Sequence, residues 1–159
     1  MTTVATTRYG VPSLLVFVIL VAMAASFGTW FRADNWFAAL SKPAWMPPKE
    51  LFGPVWTALY LIITAAGWRL WRSTGRMVTA FHLWGAQLVL NALWPFMFFG
   101  LHRIDIALVA ICLQLALILS FIATAWRYSQ FTSWLCVPYA AWVGFAASLN
   151  FAIWRLNST

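Results

Sequence analysis

The chain has 159 residues, of which 64% are hydrophobic and 8% charged, with twelve tryptophans and a formal net charge of +7. That balance excludes a water-soluble domain, and the ten Lys and Arg lie scattered at the edges of apolar stretches, not in a cluster that would bind nucleic acid. Residues 9–31, 51–68, 77–102, 106–126 and 128–154 carry no Lys, Arg, Asp or Glu, and each is long enough to cross a bilayer, which takes about 20 helical residues.

The first span is predicted over residues 12–31. One Arg precedes it, its apolar run is long and no small-residue cleavage site follows, so it reads as a membrane helix and not as a cleaved leader. Residues 32–52 form the one long connection and carry Trp36, Pro43, Trp45 and the Pro47–Pro48 pair. Loops of this length in a small bundle are usually functional or lid-like. Within it, residues 34–40 predict a short helix capped by Asp34 and stopped before Pro43.

The second span, residues 53–72, places Trp56 and Tyr60 on one face, continued by Ile63 and Gly67. The third, residues 79–100, holds Gln87 and Asn91 four apart and therefore on one face, with Trp84 and Trp94 extending the stripe. Amides in membrane helices commonly tie helices together. Spacing favours that role for Gln87 and leaves Asn91 open between helix glue and ligand contact.

The fourth span is predicted over residues 105–127 and the fifth over residues 133–156. On the fifth, Pro138 and Trp142 share a face continued by Phe145, Ala146 and Leu149, and the neighbouring Ala140, Ala141, Gly144, Ala147 and Ser148 leave room beside the rings. Ala140, Gly144 and Ser148, spaced by four, also offer a small-residue face for close helix packing. The expected fold is an all-α integral membrane bundle of five transmembrane helices, one domain over residues 1–159. It is a multi-pass protein whose orientation the charges do not set. Arg8, Arg69, Arg72, Arg76 and Arg127 fall on one side, and Arg32, Lys42, Lys49, Arg103 and Arg155 on the other.

Twelve tryptophans exceed what an interfacial belt uses, and several fall near mid-span. An indole offers a broad stacking face and one N–H donor, which predicts a cavity for a flat aromatic ligand. Other chemistry lacks its residues. No Asp, Glu, Lys or Arg lies deep in a span, which disfavours ion-coupled transport, and His82 and His102 sit about 30 Å apart along one helix, too far to share a metal. No nucleophile, base and orienting acid come together in the sequence. Cys112 and Cys136 read as small apolar residues that do not pair.

The segment WMPPKELFGPVWTALY, through Trp45, Pro47, Pro48, Phe52, Val55, Trp56, Leu59 and Tyr60, closely resembles the signature of the tryptophan-rich sensory protein and translocator protein family, also called the peripheral-type benzodiazepine receptor family. QLVLNALWPFMFFG (87–100), VPYAAWVGFAASLNFAIWRLN (137–157) and the preceding SKPAW agree, so the resemblance spans nearly the whole chain and points to a bacterial member. It implies a five-helix membrane bundle, usually dimeric, whose pocket opens toward the long loop and accepts porphyrins and synthetic aromatic ligands.

By that resemblance the pocket tryptophans fall on Trp56 and Trp142, the pocket asparagine on Asn91, and the small residue that modulates ligand and sterol response on Ala146. Together with the stripes above, the expected ligand set is Trp45, Trp56, Tyr60, Gln87, Asn91, Trp94, Trp142 and Ala146. The expected ligand is protoporphyrin IX, its propionates near Arg32, Lys42 or Lys49, with no metal site and no cofactor required. Two positions depart from the family pattern. Phe37 stands where members that break down protoporphyrin can have a hydroxyl-bearing aromatic, and Phe151 where sterol binders carry tyrosine, so sterol binding is expected to be weak at most. The reading is a receptor or sensor. Its alternatives are a light-dependent porphyrin-degrading enzyme working through Trp56 and Trp142, and a transporter of porphyrins or sterols. A homodimer is expected through Gly85, Val89 and Ala92 of the third span in preference to the small face of the fifth.

Overall fold

The computed structural model describes residues 11–158, and Arg8 of the charge count lies outside them. Among the described residues the fold is all-helical, with five helical segments long and apolar enough to cross a membrane. The first span is α1 (Val11–Thr29). The short helix of the loop, α2 (Asn35–Ala39), forms as its sequence indicates: Asp34 caps it by accepting from the Phe37 amide at 3.0 Å, and it ends before Pro43.

The second span, α3 (Lys49–Thr74), begins four residues earlier than the sequence suggested. The Gly53–Pro54 pair at the predicted start lies inside the helix, where Pro54 removes one intrahelical hydrogen bond and the helix continues. Gly75 ends it at φ 61°, in the left-handed region that glycine enters without a Cβ clash, and its N–H bonds the Trp71 carbonyl at 2.8 Å.

The third span is α4 (Thr79–Pro95) continued by a π-helical turn over Phe96–Gly100, closed by the Leu101 amide on the Phe96 carbonyl at 2.8 Å. The fourth is α5 (Ile104–Ala125). The fifth corrects the single helix expected over residues 133–156, because it consists of α6 (Gln130–Leu135) and α7 (Val137–Asn157), joined at Cys136. Pro138 has no N–H to continue the ladder across that joint, and the Cys136 amide turns back onto the Ser133 and Trp134 carbonyls instead.

In space α3 packs on α1, α1 on α4, α4 on α5, and α5 on α7, while α6 lies against α3 and α5. The end of the bundle away from the loop is filled by Phe17, Ile63, Ala66, Leu70, Trp84, Ile118 and Phe121. At the loop end a smaller cluster of Phe98, Ala107, Leu149 and Ile153 supports Trp36, Phe37 and Leu40 of the loop. Exposed Leu15, Ile19, Met23, Val109, Leu113 and Leu119 on α1 and α5 are the lipid-facing surface.

Candidate functional site

Beneath the loop, walled by α1, α3, α4, α5 and α7, lies a cavity of about 430 Å³, a size typical of small-molecule sites, which run to roughly 300–1,000 Å³. Trp56 and Tyr60 enter it from α3, Asn91 and Trp94 from α4, Gln114 from α5, and Trp142 and Ala146 from α7, while Phe37 and Met46 close the loop side. Six of the eight expected ligand residues therefore share one wall. Gln87 and Trp45 do not line it.

Gln87 is buried as helix glue. Its Nε2 donates to the Trp84 carbonyl at 2.9 Å and its Oε1 accepts from the Tyr139 hydroxyl at 2.6 Å. Trp45, in the turn that precedes α3, is half exposed and leans edge-on against Phe145 at 5.8 Å, outside the wall.

The Tyr139 hydroxyl organises the polar part of the wall. It donates to Gln87 and accepts from Gln114 Nε2 at 2.9 Å and from Asn91 Nδ2 at 3.2 Å, so all three of its hydrogen-bonding positions are filled. Asn91 in turn accepts from the Tyr60 hydroxyl at 3.2 Å through Oδ1. One buried network thus joins α3, α4, α5 and α7, and it reaches the cavity at Tyr60, Asn91 and Gln114. A second contact fixes Trp94: its Nε1 donates to Asn150 Oδ1 at 3.1 Å, and Asn150 donates to the Ile104 carbonyl at 3.0 Å.

Trp142 differs from these. Its Nε1 is buried and, among the described residues, is the one buried side-chain polar atom without a hydrogen-bond partner. The ring is held by Phe52 at 5.9 Å and Phe145 at 5.5 Å, so the donor is fixed in place with nothing to donate to. A buried N–H left unpaired costs about 1–3 kcal/mol, and the residue that carries it also lines the cavity.

Of the three cations considered for an anionic ligand group, only Lys49 lines the cavity. Arg32 turns back to the Thr29 carbonyl at 3.1 Å, and Lys42 donates to the carbonyls of Ala38 and Leu40 with its ammonium 4.7 Å from the centre of the Phe37 ring.

The loop that roofs the cavity is anchored at two points. Trp36 stacks on His102 at 4.2 Å and 18°, and Asp34 Oδ2 lies 3.2 Å from His102 Nε2. At the other end the Ser41 backbone exchanges two hydrogen bonds with the Asn157 side chain, at 3.0 and 2.9 Å. The Phe37 amide, and after it His102, hold the Asp34 carboxyl below the usual carboxylate range. His102 reaches this position with φ 54°, just beyond the π-helical turn. Its role is structural, and among the described residues no three metal-ligating side chains come together.

Sequence reasoning missed Gln114, Tyr139 and Asn150. Gln114 carried a signal, as a lone amide in the middle of an otherwise apolar span. Tyr139 and Asn150 lie among aromatic and small residues with no spacing that marks them.

A family model described as the TspO/MBR family matches residues 15–155. The chain belongs to the TspO/MBR family. It is 35% identical to the tryptophan-rich sensory protein of Cereibacter sphaeroides, with 90% of each chain covered. It is 39% identical to a tryptophan-rich protein TspO of Archaeoglobus fulgidus, over 89% of this chain and 92% of that one. The similarity extends to the human translocator protein at 34% identity, over 77% of this chain and 75% of the human one. As a TspO/MBR protein with five membrane-length apolar helices, the chain is a multi-pass integral membrane protein.

Proposed function

We propose that this protein is a membrane receptor or sensor for tetrapyrroles, with protoporphyrin IX as its ligand, linked to porphyrin metabolism or stress signalling. The observation that carries the reading is a cavity walled by the rings of Trp56, Trp94 and Trp142, with Tyr60, Asn91 and Gln114 as its polar edge. A macrocycle stacks between Trp56 and Trp142, meets Asn91 and Tyr60 along its edge, and directs a propionate toward Lys49 at the loop side. The ring needs no axial metal ligand as a free base. The sensory and translocator names of the relatives accord with a receptor role.

The receptor acts as a homodimer through α4. A Cβ on Gly85 would meet nothing within 4 Å and Val89 is exposed, whereas on α7 Ala140 is buried and Gly144 already faces Leu115. Sterols bind weakly: Phe151 lies on the outer surface, against Trp154 at 5.9 Å, away from the cavity.

One observation favours a second reading, light-dependent oxidation of the porphyrin. Tyr60 puts a phenol in the wall, and a phenol gives up an electron together with its proton. Titration of the purified full chain with protoporphyrin IX in darkness tests the receptor reading, with saturable one-site binding expected. Absence of saturation at micromolar ligand would overturn it, and dioxygen-dependent loss of ligand absorbance only under light would favour the second reading.

A further inference from the structure

The end of the bundle opposite the cavity has a charge pattern that the ligand site does not use. All three carboxylate side chains of the chain, Asp34, Glu50 and Asp105, lie at the loop end. The opposite end carries Arg69, Arg72, Arg76 and Arg127, all exposed, and among the described residues none of them pairs with a carboxylate. At the loop end, by contrast, three carboxylates offset part of the charge of Arg32, Lys42, Lys49, Arg103 and Arg155, and Arg103 is paired with Asp105 through two hydrogen bonds, one at 2.9 Å and one at 2.6 Å.

Two of the unpaired arginines lie over aromatic rings. The Arg69 guanidinium lies 4.4 Å from the centre of Phe131, which ties the end of α3 to α6, and Arg72 lies 5.0 Å from the centre of Trp68. Stacking uses the faces of a guanidinium and leaves its N–H edges free for phosphate oxygens. Around them Trp126, Phe131 and Trp134 are exposed, with Trp126 and Trp134 in edge contact at 6.1 Å. Exposed indoles at the ends of membrane-length helices mark the headgroup level.

We propose that this end of the bundle is a binding collar for the phosphate headgroups of anionic phospholipids. The opposite sign of the charge identifies the partner, and the ring of exposed aromatics identifies its source as lipid, because it places the arginine edges in the plane of the headgroups. The collar is separate from the ligand cavity, so anionic lipid is held at one end of the protein while the aromatic ligand is held at the other.

Spin-labelled phosphatidylglycerol and phosphatidylcholine, compared on the full chain reconstituted in phosphatidylcholine vesicles, give the relative association of the two lipids. Phosphatidylglycerol is expected to be favoured several-fold at low salt. The double variant Arg69→Gln with Arg72→Gln should bring the ratio close to one, since each arginine removed lowers it by up to about fivefold. Arg103→Gln with Arg155→Gln, at the loop end, should leave it unchanged. A wild-type ratio near one, or an equal fall in the loop-end variant, would overturn the proposal. If the first pair fails to reconstitute, Arg76→Gln with Arg127→Gln makes the same test with the same outcomes. Wild-type selectivity in that pair would overturn it too.

Discussion

The two ends of the bundle are built from the same helices and packed in opposite ways. Along one face of α3, Ile63 and Gly67 sit in a close-packed core, while Tyr60 and Trp56, about one and two turns before Ile63, open onto empty space. Within α3 the contrast is sharpest at its two glycines. A Cβ on Gly67 would lie 2.6 Å from the Trp84 ring and 2.9 Å from Phe17, whereas one on Gly53 would meet nothing within 4 Å. In a bilayer, helices associate by close packing and interhelical hydrogen bonds, since lipid tails remove the hydrophobic drive between them. The packed end therefore holds the bundle together, and this lets the loop end keep a hollow and an unpaired N–H.

Tyr139 stands where the two ends meet. Its hydroxyl serves Gln87 on the packed side and Asn91 and Gln114 on the hollow side, so the rigidity of one end sets the geometry of the other. That division leads to graded expectations.

Gly67→Ala should produce the largest effect. The Trp84 ring cannot yield, because its Nε1 is bonded to the Ile63 carbonyl at 2.9 Å, and overpacking of this kind costs about 1–3 kcal/mol. Thermal unfolding in detergent should show a clear drop for Gly67→Ala and none for Gly53→Ala. Equal drops would erase the contrast between the ends. Next, Gly85→Leu on the outward face of α4 should shift the protein from dimer to monomer in light-scattering chromatography while ligand affinity stays. An unchanged dimer would move the interface elsewhere.

At the hollow end, Phe37→Tyr adds a phenolic hydroxyl to the roof of the cavity and should speed the light-driven loss of bound protoporphyrin, followed by absorbance at fixed illumination. Phenylalanine offers neither an electron nor a proton under mild oxidation. Equal rates would remove this position from any photochemistry. The smallest change is expected from Phe151→Tyr, on the outer surface: a modest gain in sterol photolabelling with no change in porphyrin affinity. No gain would show that the missing hydroxyl is irrelevant to sterol.

The membrane spans were legible because each is an uninterrupted apolar run bounded by charge, and α2 because Asp34 and Pro43 bracket it. The two misplaced boundaries both involve proline. Pro54 lies early enough in α3 to be tolerated, so the helix starts before the predicted residue 53, and Pro138, inside the predicted fifth span, sits beside the joint at Cys136. In the site, Trp56, Tyr60, Asn91, Trp94, Trp142 and Ala146 could be grouped from helical spacing and family likeness. Gln87 and Asn91 share a face, and what separates the buried amide from the cavity amide is the position of Tyr139 across the bundle. That register between α4 and α7 is a tertiary fact with no local signal. The same holds for Trp142: its exposure to the cavity follows from spacing, but its lack of a partner follows from what the other helices fail to bring near it.

The central claim is that the hollow end recognises the ligand and the packed end does not. Titration of protoporphyrin IX into Trp142→Phe and Trp84→Phe, each paired with a melting curve, tests it most directly. Trp142→Phe keeps a ring but removes stacking area, so affinity should fall by a factor matching about 0.5–1.5 kcal/mol at an unchanged melting temperature. Trp84→Phe loses the bond to Ile63 and should melt earlier with wild-type affinity. Wild-type binding by Trp142→Phe, or an equal loss of affinity in Trp84→Phe, would contradict the account.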